Sequence, residues 1–283
     1  SAISCEVTCS QRCAVHRYEF PAGARGRVAV DLSAGGLLIE GMRSYPGSAR
    51  VELAGDAGAQ GVIWMEGIPI FFRIEVRGAR RSGLWLKGKE SPAKLFEEIP
   101  ESEEGEENPP FGVWFEAGRP DEPLELRIGF SLRSEERAVE ALKGIADAGF
   151  DELAGEAASR WDVVLGKIEV EGADEDLREV FYSALYHAAL KPADFTDENP
   201  FSKADGPFFF DLATLWDQYK TQLPLLMTLW PEWGGNFVEF LGEVAQREGA
   251  FPVSYLMDNV PERFDKQATG LCHIILGDAH MRG

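Results

Sequence analysis

The sequence predicts a β-sandwich followed by an all-α segment. Two patterns predict it. Up to about residue 132, apolar residues alternate in short runs separated by turn residues at intervals of about ten. From Ser134 onward the apolar spacing lengthens to the three-to-four of helices. The 283 residues leave room for two ordinary domains, and 45% hydrophobic residues provide a sizeable core.

In chain order, residues 3–20 alternate through Ile3, Cys5, Val7 and Cys9, then Val15, Tyr18 and Phe20. Pro21-Ala-Gly ends this run as a turn. The next strand is Arg27–Leu32, and Gly35-Gly36 precedes Leu37-Leu-Ile. Further strands are expected at 49–53, 61–66, 70–77, 83–87, 111–116 and 124–132. All would be antiparallel or nearly so, as in a sandwich. Residues 97–107 form an acidic run that reads as a solvated hairpin loop, because like charges repel and extend. A calcium site there would lack the fixed ligand geometry that calcium uses.

Ser134 reads as the N-cap of a first helix with Val139, Leu142 and Ile145 facing the sandwich and Gly149 ending it. Phe150, Leu153, Ala157 and Trp161 mark a second. Asp174–Lys191 reads as a strong helix with Leu177, Phe181, Ala184, Leu185 and Ala188 on one face. Loops follow at Phe195–Phe201 and Asp205-Gly-Pro. Asn236 is expected to cap a helix carrying Phe237, Phe240, Leu241 and Val244 and ending at Gly249. A last helix from about Lys266 carries Ala268, Leu271, Cys272, Ile275 and Ala279. The expected division is a sandwich over 1–133, a helical linker over 134–165 and a helical domain over 166–283.

Net charge is −20, from 28 Lys+Arg against 48 Asp+Glu. Nucleic acid, which needs basic patches, is therefore not an expected partner. No apolar run approaches the roughly 18–20 residues of a membrane span. Cys5, Cys9, Cys13 and Cys272 fit no zinc spacing. On one extended strand the first three would share a face about 13 Å apart, too far to bridge, so buried free thiols are expected. His16, His187 and His273 read as packed or rim residues.

The richest stretch is residues 211–231. Thr214 stands three residues before Asp217 in capping-box spacing. A helix starting there puts Trp216 and Lys220 one turn apart, with Asp217 beside them. An indole face, a carboxylate and an ammonium at a helix mouth form the kind of set that binds a sugar, by stacking on the ring and taking its hydroxyls. The plainer reading is that Asp217 only caps and Trp216 only packs. Pro224 falls within the same helix and should kink it.

Leu-Trp-Asp-Gln-Tyr-Lys, followed by Leu-Pro-Leu-Leu and Trp-Pro-Glu, resembles glycoside hydrolase family 92, the calcium-dependent exo-acting α-mannosidases. Members carry a Ser-Leu-Trp-Asp-Thr-Tyr-Arg-like stretch. Residues 158–172 resemble the family's interdomain segment, 181–197 its first barrel helix and following loop, and 278–283 (Asp-Ala-His-Met-Arg-Gly) its Asp-Ala-Tyr-x-Lys-Gly. The resemblance runs from about residue 125 to the end and is loose before that.

It implies part of a β-sandwich plus (α/α)6-barrel glycosidase. This chain would supply the latter part of the sandwich, the linker and the first barrel helices. The implied reaction is inverting removal of terminal α-linked mannose, with a glutamic acid protonating the leaving group and an aspartate activating water. By the family's order both carboxylates fall beyond Gly283, so no catalytic residue is named. Trp216 and Asp217 match the family's sugar-binding Trp-Asp. Lys220 stands where Arg is usual and lacks its planar fork. Asp278 matches the family aspartate, with His280 in place of Tyr; the alternative reading has it satisfying Arg282 or a buried backbone group. The resemblance also implies Ca2+ with ligands not identified in this chain, an α-mannoside glycan as partner, and a secreted or periplasmic location. The alternatives are another (α/α)6-barrel glycosidase acting on α-glucosides and a non-catalytic glycan-binding fragment.

Overall fold

The structure is a computed structural model, and it describes residues 2–33, 48–65, 68–97, 109–172, 174–210, 212, 215–252 and 270–283. The chain divides into two compact units, Ser1–Ser159 and Arg160–Gly283.

In the first unit the alternating runs form strands β1 (Ser4–Ser10), β2 (Cys13–Glu19), β3 (Arg27–Asp31), β4 (Ser48–Leu53), β5 (Gly58–Met65), β6 (Ile68–Arg77), β7 (Ala79–Leu86), β8 (Lys89–Ser91), β9 (Leu95–Phe96), β10 (Phe111–Ala117) and β11 (Leu124–Ser131). They pair antiparallel into a seven-stranded sheet, β1-β2-β11-β6-β5-β4-β9, and a four-stranded sheet, β3-β10-β7-β8. Side chains that alternate along the strands meet between the sheets. Phe72, Ile74, Val76, Leu124 and Leu126 of the larger sheet share one core with Val28, Leu84, Phe111, Val113 and Phe115 of the smaller. The expected sandwich is present.

The extended reading of residues 3–20 resolves into a hairpin, closed by Gln11-Arg12 with Ser10 opposite Cys13. This separates the cysteines. Cys13 turns into the core while Cys5 and Cys9 are exposed, so burial of all the thiols is not observed; all four are free. The short strands β8 and β9 were not anticipated, having too few residues to show a period. Leu37–Ile39 and residues 98–107 of the acidic run lie outside the described residues.

The outer face of the larger sheet is covered by α1 (Glu135–Lys143) and the start of α2 (Phe150–Leu165). Ser134 caps α1 as expected, its Oγ accepting from the Arg137 amide at 3.2 Å. The helix stops at Lys143, well before Gly149. The connection that follows is held by Arg127, which lies buried on β11 and donates to the carbonyls of Ile145 and Ala148 at 2.5 and 2.6 Å. The Ile145 carbonyl also accepts from the Ala148 amide at 3.3 Å, closing a turn between the two helices. Arg17 holds the first turn of α2, with its guanidinium 4.3 Å from the Phe150 ring centroid and 3.0 Å from Asp151. Gly129 makes room for α1, since a Cβ there would lie 2.4 Å from the Ala138 carbonyl oxygen.

The second unit contains the rest of α2, then α3 (Glu175–Ala189), β12 (Ala193–Asp194), β13 (Phe209–Phe210), α4 (Leu215–Gln218), α5 (Gln222–Leu229), α6 (Pro231–Glu248) and α7 (Leu271–Arg282). Its core is aromatic. Phe208, Phe209 and Phe210 are buried against Phe237 and Phe240, with Trp233 stacked on Phe237 at 5.1 Å. Asn236 does not start its helix: α6 begins five residues earlier at Pro231, whose missing N–H costs nothing in a first turn. Gly249 ends it in the left-handed conformation, as expected. The face expected for α3 is largely uncovered. Leu185 is buried, but Leu177 is 61% exposed and Val180 66%. α3 meets α5, and its Tyr186 packs on Trp161 of α2 with ring centroids 4.5 Å apart.

Two substitutions should move stability in opposite directions. Gly129→Ala, which drives a methyl into α1's backbone, should cost about 1–3 kcal/mol. Gly155→Ala in α2, with nothing within 4 Å of the new Cβ, should add about 0.4–1 kcal/mol. Denaturant melts of the two variants against the parent check both signs.

Candidate functional site

Trp216, Asp217 and Lys220 lie on one short stretch whose shape Pro224 decides. A single helix through 215–229 would need an amide at position 224 and would press the proline ring on the carbonyl of Lys220. The chain breaks instead. α4 ends at Gln218, residues 219–221 turn, and α5 restarts at Gln222. Pro224 then falls in a first turn, where no donor is required. The expected kink is a full break, and the expected spacing of Trp216 and Lys220 by one helical turn is lost. Lys220 belongs to the turn, with its Nζ 5.2 Å from the Tyr219 ring centroid.

Within α4 the two faces differ. Leu215 and Gln218 are buried, while Trp216, at 52% exposed, and Asp217 face solvent side by side. Thr214, proposed as the cap, lies outside the described residues. The backbone carbonyl of Asp217 accepts from Thr221 Oγ1 at 3.3 Å, and that of Leu215 from the Tyr219 amide at 2.8 Å. These bonds close the end of α4 and fix where Trp216 and Asp217 project.

Asp278, on α7, is engaged by its own helix. Arg282 one turn on donates to both carboxylate oxygens, at 2.7 and 3.1 Å, and also to Thr228 of α5 at 2.5 Å. The ion pair thus ties α7 to α5, and the hydrogen bond that Arg282 donates to Asp278 raises the Arg282 pKa. Of the two roles open to Asp278, the pairing with Arg282 is the one formed here. Beside it lies a half-open cleft of about 590 Å³, lined by Met227, Gly234, Gly235, Leu276, His280 and Arg282 among others. His273 meets Phe251 edge-on at 5.5 Å, and the neighbouring Cys272 is buried, its thiol pushed up to about 12 by desolvation.

Two residues were missed in the sequence. Gln222 donates to the carbonyls of Ala188 and Lys191 at 2.7 and 2.6 Å, anchoring α5 to the end of α3. Gln218, buried behind Trp216, has a side-chain oxygen with no hydrogen-bond partner. Neither carries a local signature, because a glutamine's reach is set by what the fold brings near it. The buried pair Glu198 and Asn199 was legible only as loop.

Calcium takes six to eight oxygens. Among the described residues no group of three or more His, Cys, Asp or Glu is placed to hold a metal ion.

Two antiparallel sheets packed as a sandwich and followed by helices define the class: a sandwich-plus-helix architecture. Residues 137–264 match the family model described as the glycosyl hydrolase family 92 catalytic domain. An uncharacterized secreted glycosidase from Arthroderma benhamiae is 33% identical over 104 residues, which are 35% of this chain and 14% of that protein. A GH92 inverting mannosidase from Bacteroides thetaiotaomicron superimposes with a TM-score of 0.77 at 20% identity, over 99% of this chain and 37% of its own. A GH92 α-mannosidase from the same organism, solved with mannoimidazole, gives 0.71 at 17% identity, over 90% of this chain and 35% of its own. At these identities the structures speak for the fold, and the chain spans little more than a third of each.

Gln222→Ala should lower the stability of the second unit by about 1–2 kcal/mol, the worth of two hydrogen bonds to backbone. Thermal unfolding followed by tryptophan fluorescence measures it.

Proposed function

We propose that this chain forms the sandwich and the first barrel helices of an inverting exo-α-mannosidase, and that Trp216 and Asp217 line the subsite for the terminal mannose. One observation carries the reading. The residues that match the family's Trp-Asp are exposed side by side on α4, within the segment matched to the catalytic domain. The indole supplies an apolar face for the C–H side of a pyranose, and the carboxylate accepts from its hydroxyls. Lys220 adds a mobile point charge where the family usually has a guanidinium. Asp278 helps the site through Arg282 and Thr228 rather than by touching sugar.

The sandwich, linker and barrel portions are taken as 1–133, 134–165 and 166–283. The acid and the base are assigned to residues outside this chain, as are the calcium ligands. The product is a free mannose with inverted anomeric configuration. Secretion fits the description of the Arthroderma relative, and among the described residues no helix is long and apolar enough to cross a membrane.

The test uses the polypeptide carried through a complete barrel, assayed on a panel of aryl α-glycosides. Release of mannose, lost on chelation and restored by Ca2+, is expected. Trp216→Ala should raise KM about tenfold, equivalent to ~1.4 kcal/mol of lost stacking. Turnover of α-glucosides but not α-mannosides would move the protein to another barrel glycosidase activity. Saturable mannose binding without turnover would leave only a glycan-binding role.

A further inference from the structure

Pro192 leaves a carbonyl short of its helical donor. In an α-helix the carbonyl of residue i accepts from the amide of residue i+4. For Ala188, in the last turn of α3, that residue is Pro192, which has no N–H. Gln222, the first residue of α5, supplies the donor instead. Its Nε2 reaches the Ala188 carbonyl at 2.7 Å and the Lys191 carbonyl at 2.6 Å, one for each of its two hydrogens.

A few residues further along, the same strip of chain holds a second point. Ala193 and Asp194 of β12 pair antiparallel with Phe210 and Phe209 of β13, and the Phe195 amide donates to the Phe208 carbonyl at 2.7 Å. Phe208, Phe209 and Phe210 are buried in the aromatic core. Residues 188–195 thus hold the chain at Phe210 and again at Gln222. Between those two points lies α4, with Trp216 and Asp217.

The two clamps differ in what secures them. At Phe210 a strand pairing is backed by buried rings. α5 is packed through Leu223, Leu226 and Met227, but apolar burial is non-directional and lets a helix slide or turn. The two hydrogen bonds of Gln222 are directional, and they set where α5 begins relative to α3. The turn back to α4 is short and bonded: Thr221 donates from its amide to the Gln218 carbonyl and from Oγ1 to the Asp217 carbonyl, each at 3.3 Å. A shift at Gln222 therefore passes directly to α4.

We propose that Gln222 is a positioning residue for sugar binding: by holding the start of α5 against the end of α3, it sets where the Trp216 indole and the Asp217 carboxylate lie. This rests on the reading of that pair as the mannose subsite. Gln222 acts through the pair and does not touch the sugar. A misplacement on the order of 1 Å is enough to weaken contacts that depend on orientation, and lost substrate binding appears in KM.

The test uses the polypeptide carried through a complete barrel. Gln222→Met keeps the side chain's length and removes both donors. In hydrogen exchange followed by mass spectrometry, peptides spanning 215–222 should exchange about tenfold faster, with those from β12 and β13 unchanged. On an aryl α-mannoside, KM should rise about three- to tenfold with kcat within about twofold of the parent. The rise should be smaller in a Trp216→Ala background, because a contact already removed cannot be misplaced. Gly129→Ala, which destabilises the first unit, should leave KM at the parent value and so separates position from stability. Unchanged exchange at 215–222, an unchanged KM, or an undiminished rise in the Trp216→Ala background would overturn the proposal. A parent that turns over no mannoside would remove the sugar-binding role together with the mannose reading. The exchange data would still show whether Gln222 holds α4, so the two failures are told apart.

Discussion

A buried guanidinium organises the first unit. Arg127 sits on the outer face of β11, 3% exposed, and spends its donors on three groups: the Glu125 carboxylate and the carbonyls of Ile145 and Ala148. A charge taken out of water must be fully paired or it costs several kcal/mol. The sheet, the end of α1 and the start of α2 are thus fixed to one another by a single side chain. Gly129 one step along the strand opens the space in which α1 lies, and Cys13 and Val15 supply the apolar floor. The larger sheet can therefore bury both faces, one under the smaller sheet and one under helices.

In the second unit a proline plays the corresponding part by exclusion. Pro224 forbids a continuous helix, and the break it forces puts Trp216 and Asp217 on a four-residue helix, with Leu215 and Gln218 turned inward. Gln222 then ties the restarted helix to α3. The open pair is held by these constraints on either side, which suits a surface that must meet a rigid ring in one orientation.

Both units also present apolar surface that their own described residues do not cover. Ile3 and Val7 lie open on β1, and Leu177 and Val180 on α3. Such surface usually marks contact with something else.

The sequence by itself determined the sandwich, because alternation of apolar residues fixes which face of each strand is buried. It also determined the cap at Ser134 and the end of α6 at Gly249, both of which rest on local residue types. The tertiary structure decided what depends on distant partners. It split residues 3–20 into a hairpin and exposed two of the four cysteines. It ended α1 early at Lys143, moved the start of α6 from Asn236 to Pro231, and took Lys220 out of the helix. Of the four candidate sugar-binding residues, it left Trp216 and Asp217 together in the open and engaged Asp278 with Arg282. A local pattern can say that a side chain suits a site. Whether it reaches one depends on where the chain breaks and which partner claims it first, and those are set by packing between residues far apart in sequence.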